Sequence, residues 1–221
     1  MLNRSVISSG AYLESFDSLP PDILWTQSQI DHSLADTMTR RPEQTDLWVF
    51  AYGSLMWNPI SEYDCRVTAT LDNWHRSFCI RLLAGRGSPR NPGRMLSLEP
   101  GGSTDGVALR IPEANLTEEL RILWIREMVT GAYTPTWAPV RFKSGGEAMA
   151  LVFVANPLQA QFDADSRPKS IAPLIAAASG SLGKNSEYVF RLKRALIDCG
   201  MTDGYIDELA RELTSLGTNS L

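Results

Sequence analysis

Histidine and cysteine are nearly absent from this chain, with His32, His75, Cys65, Cys79 and Cys199 the only five in 221 residues. The three cysteines are scattered and odd in number, and neither they nor the histidines fall at metal-ligand spacing. No metal site is therefore expected, and the cysteines read as reduced thiols. No apolar run approaches the ~18 residues of a membrane span. The opening Met1-Leu2-Asn3-Arg4-Ser5-Val6 lacks the apolar centre of a signal peptide. Positive charge is not in excess either. Lys and Arg number 21 against 25 Asp and Glu, the net charge is −4 and the pI about 5.3. That balance argues against a nucleic-acid partner held through phosphate contacts. What remains is an ordinary globular composition, 43% apolar and 21% charged. The expectation is a soluble cytoplasmic domain with a substantial core, bound neither to membrane nor to nucleic acid; the sequence is silent on oligomeric state.

The most informative stretch is Leu47-Trp48-Val49-Phe50-Ala51-Tyr52-Gly53-Ser54-Leu55-Met56-Trp57-Asn58-Pro59. Its β-favouring apolar run predicts a buried strand over 47–53, stopped by Gly53-Ser54 and Pro59. A strand ending in Gly-Ser leaves backbone N–H groups unpaired with no Cβ at Gly53 to screen them. Such donors suit a carboxylate or a developing oxyanion. An ordinary turn after a strand explains the same residues.

Around this strand the chain divides into an N-terminal helical extension, 1–46, and a domain, 47–221. In the extension, Pro20-Pro21-Asp22 opens a helix through Ile23, Leu24, Ile30 and Leu34, packed on the outside of the domain. Further strands are expected at 65–71, 76–83, 95–99, 106–111, 138–143 and 148–154. Seven strands with short Gly/Pro breaks predict an α+β fold, a mostly antiparallel curled sheet closed into a small barrel with flanking helices. Between two of them, residues 83–94 hold three glycines, two prolines and the cations Arg86, Arg90 and Arg94. This segment is either a solvated hairpin loop or a cover over an anionic substrate. After residue 154, helical periodicity returns at 171–179, 186–199 and 203–216. Gly180–Lys184 has the wrong spacing for a phosphate loop.

Glu127 breaks the pattern of its own helix. Asn115 with Glu118 three residues on predicts a capped start, and Gly131 the end. With Leu120 at zero on a helical wheel, Leu123 falls near about −60° and Trp124 near about +40°, and Glu127 lands between them at about −20°. Glu118 and Glu119 sit in the first turn, where acids suit the helix dipole. A carboxylate on an apolar face must be paired or wetted. It is a buried ion pair with Arg81 or Arg110, a residue at the sheet rim, or a residue lining a functional cavity. Periodicity leaves all three open.

Phe50-Ala51-Tyr52-Gly53-Ser54-Leu55-Met56-Trp57-Asn58-Pro59 resembles the Tyr-Gly-Ser-Leu signature of the gamma-glutamylcyclotransferases, in the ChaC-like branch that acts on glutathione. The resemblance continues through Ala84-Gly85-Arg86-Gly87, Asn91-Pro92-Gly93-Arg94-Met95-Leu96, Arg126-Glu127, Gly131, Tyr133 and Asn185-Ser186-Glu187-Tyr188. It spans roughly residues 47 to 217. Ala51 stands where the family usually has Gly. The resemblance implies the family's fold and a cofactor-free reaction in which glutathione's γ-glutamyl group cyclises to 5-oxoproline and releases Cys-Gly. It places Glu127 as the catalytic base and Val49, Phe50, Ala51, Tyr52, Gly53, Ser54 and Leu55 at the substrate. Tyr133 is expected at the substrate amine or leaving group, and Arg86 and Arg94 at the glycyl carboxylate. Arg126, about 100° from Glu127 on the wheel, is assigned a neighbouring contact. The alternatives are a cyclotransferase for other γ-glutamyl amides, a non-enzymatic γ-glutamyl-binding regulator and, for Ser54, a nucleophile, which the two histidines do not support.

Overall fold

The computed structural model describes residues 3–14, 16, 19–20, 23–43 and 46–217. Five strands close a barrel in the order β1-β3-β2-β4-β5. They are β1 (Leu47–Ala51), β2 (Cys65–Leu82), β3 (Gly93–Ile111), β4 (Tyr133–Phe142) and β5 (Glu147–Ala155). Neighbours are antiparallel except the closing pair, in which Trp48 and Val49 of β1 lie parallel to Ala150 and Leu151 of β5. All five residues of β1 are buried, as its unbroken apolar run requires. Ala51 is paired with Val107 in ordinary strand conformation, so its side chain in place of Gly meets no backbone strain.

Seven expected strands become five because two apparent breaks are bends. At Asp72–Trp74 the β2–β3 register shifts, and Asn73 takes φ +66°. Asn tolerates that left-handed conformation, so the strand kinks instead of ending. On β3 the ladder resumes beyond Pro100-Gly101-Gly102, joining the two segments expected at 95–99 and 106–111.

The helices α5 (Pro168–Ala177), α6 (Asn185–Asp198) and α7 (Gly204–Ser215) pack together and against β3. Val189, Leu192 and Leu196 of α6 and Leu209 and Leu213 of α7 lie within the main core, at 2% exposure or less. Between α5 and α6, Gly180–Lys184 falls in a two-stranded hairpin, β6 (Ser179–Gly180) with β7 (Gly183–Lys184).

α4 (Leu116–Glu127) is buried on nearly every face. Asn115 gives it no side-chain cap and bonds Glu62 instead. The capping box lies elsewhere, on α3 (Gln27–Thr39), where Thr26 and Gln29 satisfy each other's backbone N–H. α3 thus begins after Ile23 and Leu24 rather than at the prolines; Pro21 and Asp22 lie outside the described residues. Glu119 is also more than a first-turn acid. Its side chain is 1% exposed and pairs with Arg4 of α1 (Arg4–Ser8), which leads into α2 (Ala11–Glu14).

Candidate active site

β1 ends at Ala51, two residues short of the expected strand end at Gly53, and after Tyr52-Gly53 the chain turns through a short 3₁₀ helix, Ser54–Met56. This turn forms one wall of a cavity of about 490 Å³. Tyr52, Gly53, Ser54, Leu55, Arg86, Glu127 and Tyr133 all line it. Val49, Phe50 and Ala51 do not; they lie in the core behind the turn, with at most 2% exposure. Arg94 is also absent from the lining. It is buried in β3, its guanidinium 2.5 Å from Asp163 and its backbone N–H and C=O both bonded to the Asn185 amide. The loop expected to present both arginines ends at Pro92, so Arg94 belongs to the barrel and only Arg86 to the cavity.

Glu127 is the last residue of α4, and the chain turns sharply after it. Gly131 has φ +60°, and a Cβ there would lie 2.2 Å from the Trp25 ring, so only glycine fits. The Glu127 side chain is 14% exposed, and its Oε1 lies 3.0 Å from Arg126 Nε. Burial raises its pKa above the ordinary carboxylate value, partly offset by the Arg126 charge. Glu127 is the only acid lining the cavity among the described residues, against Arg81, Arg86, Arg126 and Arg191.

Arg126 does more than the wheel suggested. Besides Glu127, its guanidinium donates to Ser54 Oγ at 2.8 Å and to the Asn58 carbonyl at 2.5 Å. One planar fork therefore ties the end of α4 to the Tyr52–Asn58 turn. From beneath, buried Arg76 donates to the Tyr52 carbonyl at 2.9 Å and pairs with Asp203. Both cations hold backbone shape, which a single strand pattern does not disclose.

Tyrosines line the rest of the chamber. Tyr52 donates to the Phe153 carbonyl and Tyr133 to the Leu96 carbonyl, at 2.5 and 3.0 Å. Tyr188 of α6 accepts the Ser54 N–H at 3.1 Å and is pushed up to about 12 by burial and the Glu127 charge. Tyr52 and Tyr133 are raised for the same reasons, burial first, so all three stay protonated hydroxyls near neutral pH. Tyr188 is visible in the sequence only as part of a motif, and its place at the turn depends on a contact with Ser54, 134 residues away. Arg191, on the same helix, and Ser181 and Leu182, in the β6–β7 hairpin, also face the cavity without a sequence signal. Arg86 reaches it while bonded to the Lys184 carbonyl and paired with Glu187.

The comparisons agree with this architecture. A solved glutathione-specific gamma-glutamyl cyclotransferase from yeast superposes with a TM-score of 0.71 at 24% identity, covering 78% of this chain and 97% of that one. A glutathione-specific gamma-glutamylcyclotransferase of Escherichia coli is 46% identical over 209 residues, 95% of this chain and 90% of the relative. The human glutathione-specific gamma-glutamylcyclotransferase 1 is 31% identical over 181 residues, 78% and 79% of the two chains. The family model described as ChaC-like protein matches residues 47–216, from the first residue of β1 to just past α7. The chain belongs to the ChaC-like family.

Proposed function

We propose that this protein cleaves glutathione, cyclising its γ-glutamyl group to 5-oxoproline with Glu127 as general base. The observation that carries the reading is a single carboxylate with raised pKa, held at the cavity wall by the same arginine that shapes the Tyr52–Leu55 turn. The names of the E. coli and human relatives supply the substrate.

The substrate's α-amino nitrogen attacks its own γ-carbonyl carbon. A carbon–nitrogen bond closes the five-membered ring, and the amide bond to cysteine breaks. Glu127 takes the proton from the α-amine and returns it to the departing cysteine nitrogen, so neither water nor a cofactor enters the balance. An ordinary Glu near ~4.3 and an α-amine near ~7.7 differ by about 3.4 units, roughly 4.6 kcal/mol against proton transfer. Burying Glu127 narrows that gap. Holding the amine against the carbonyl adds the advantage of an intramolecular reaction. The Ser54 N–H is taken up by the Tyr188 hydroxyl, and it is the Tyr188 proton that is available to an oxyanion or α-carboxylate. The four arginines suit a substrate that carries two carboxylates.

Incubation with glutathione and a panel of γ-glutamyl dipeptides, read out as 5-oxoproline, tests this. Turnover of glutathione well above the rest is expected. Turnover of γ-glutamyl amides with glutathione inert would favour the broader cyclotransferase, and no 5-oxoproline from any of them would remove the reading.

A further inference from the structure

One wall of the cavity comes from outside the range that the family model matches. Tyr12 of α2, with Phe16, Leu19 and Ile23 beyond it, lines the same space as Glu127. The extension is therefore not confined to the outside of the barrel. The Tyr12 hydroxyl donates to the Arg126 carbonyl at 3.3 Å, and its ring stands edge-on to Phe16 at 5.1 Å. Phe16 and Leu19 are buried in one cluster with Val129, two residues past Glu127, and Leu83 and Ala84 of the Gly-rich loop pack against that cluster.

Both ends of this stretch are anchored. Arg4 bonds both carboxylate oxygens of buried Glu119, at 2.7 and 2.8 Å. The Trp25 N–H donates to the Val129 carbonyl at 2.8 Å, and the Trp25 ring fills the space at Gly131. A charged pair at the start of α4 and an aromatic at its exit thus hold Tyr12 and Phe16 between them.

We propose that Tyr12 and Phe16 are positioning residues of the active site, which keep water from Glu127 and fix the end of α4. This rests on Glu127 being the base. The groups facing that carboxylate are Arg126 from α4 and the hydroxyls of Tyr12 from α2, Tyr52 from the turn after β1, Tyr133 from β4 and Tyr188 from α6. Only Arg126 among them is charged at neutral pH. Desolvation is the larger influence on Glu127, and Tyr12 and Phe16 supply part of the cover. Opening that wall hydrates the carboxylate, lowers its pKa toward the ordinary value and makes it a weaker base.

The test is Tyr12→Ala beside Tyr12→Phe in the full-length protein, with Phe16→Ala as a second opening of the wall should Tyr12→Ala lose the fold. Turnover of glutathione is followed against pH. In parallel, carbon-13 NMR follows the Glu127 carboxyl, assigned by its loss in Glu127→Gln. The wall-opening variant should lose about tenfold in kcat with KM changed far less. Its acidic limb should move to lower pH together with the carboxyl titration. Tyr12→Phe, which keeps the ring, should stay within about threefold of the parent. A folded wall-opening variant whose carboxyl titration has not moved overturns the proposal, whatever its kcat. Tyr12→Phe falling as far as Tyr12→Ala also overturns it, because the hydroxyl and not water exclusion would then be responsible. The titration needs no substrate, so it separates this proposal from the assignment of the reaction.

Discussion

The backbone N–H of Ser54 donates to the hydroxyl of Tyr188, 134 residues away, at 3.1 Å. A Cβ on Gly53 would come within 2.8 Å of the same hydroxyl, so glycine is what lets the two elements meet. Tyr188 keeps its own proton to offer into the cavity, because its pKa is about 12.

Tyr188→Phe should therefore leave the fold intact and the turn short of one partner. A single neutral hydrogen bond is worth about 0.5–1.5 kcal/mol, so kcat/KM for glutathione should fall about 2- to 12-fold. Steady-state kinetics with a thermal melt checks this. An unchanged kcat/KM would place Tyr188 outside the reaction and leave it only a packing role.

How much of this was readable in advance follows from the range of each interaction. The first strand, expected over 47–53 and found at 47–51, the break at Gly53-Ser54 and the anomaly of Glu127 are local, and all stand out in the residue pattern. The resemblance added the Tyr188 motif but not its contact. The merging of strands at Asn73 and Gly101-Gly102 was hidden because a bulge and a turn use the same residues. Arg94 and Arg86 look alike in one loop. Only pairing across β2–β3 shows that one is barrel and the other cavity. The presence of Tyr12 and Phe16 at the cavity was out of reach, because the four residues of α2 are too few to carry a helical period.

Arg126→Met should show what the guanidinium does to its neighbours. The variant leaves Glu127 buried without its counter-charge, so its pKa rises further. A base must be ionised, and the acidic limb of the rate profile should therefore move to higher pH, opposite to the wall-opening variants. Charge-assisted bonds of about 1.5–3 kcal/mol are also lost at Ser54, predicting a drop of about 10- to 150-fold at neutral pH. A limb that stays in place would mean Arg126 does not act on Glu127.

Arg94→Ala and Arg86→Ala should separate stability from recognition. Arg94 is buried against Asp163, so its removal should cost roughly 1–3 kcal/mol and lower Tm while KM for glutathione holds. Arg86 lines the cavity, and Arg86→Ala should raise that KM by about tenfold or more. A γ-glutamyl amide lacking the glycyl carboxylate should be nearly indifferent to Arg86→Ala. The reverse assignment of KM and Tm effects would contradict the placement of both arginines.

The most direct measurement is 5-oxoproline production from glutathione by purified Glu127→Gln. The substitution keeps shape and removes only the ability to take a proton, so the protein should melt as the parent does. Its turnover should fall by about a hundredfold or more, within the range for a lost general base. A folded Glu127→Gln protein that turns over glutathione at the parental rate would contradict the account.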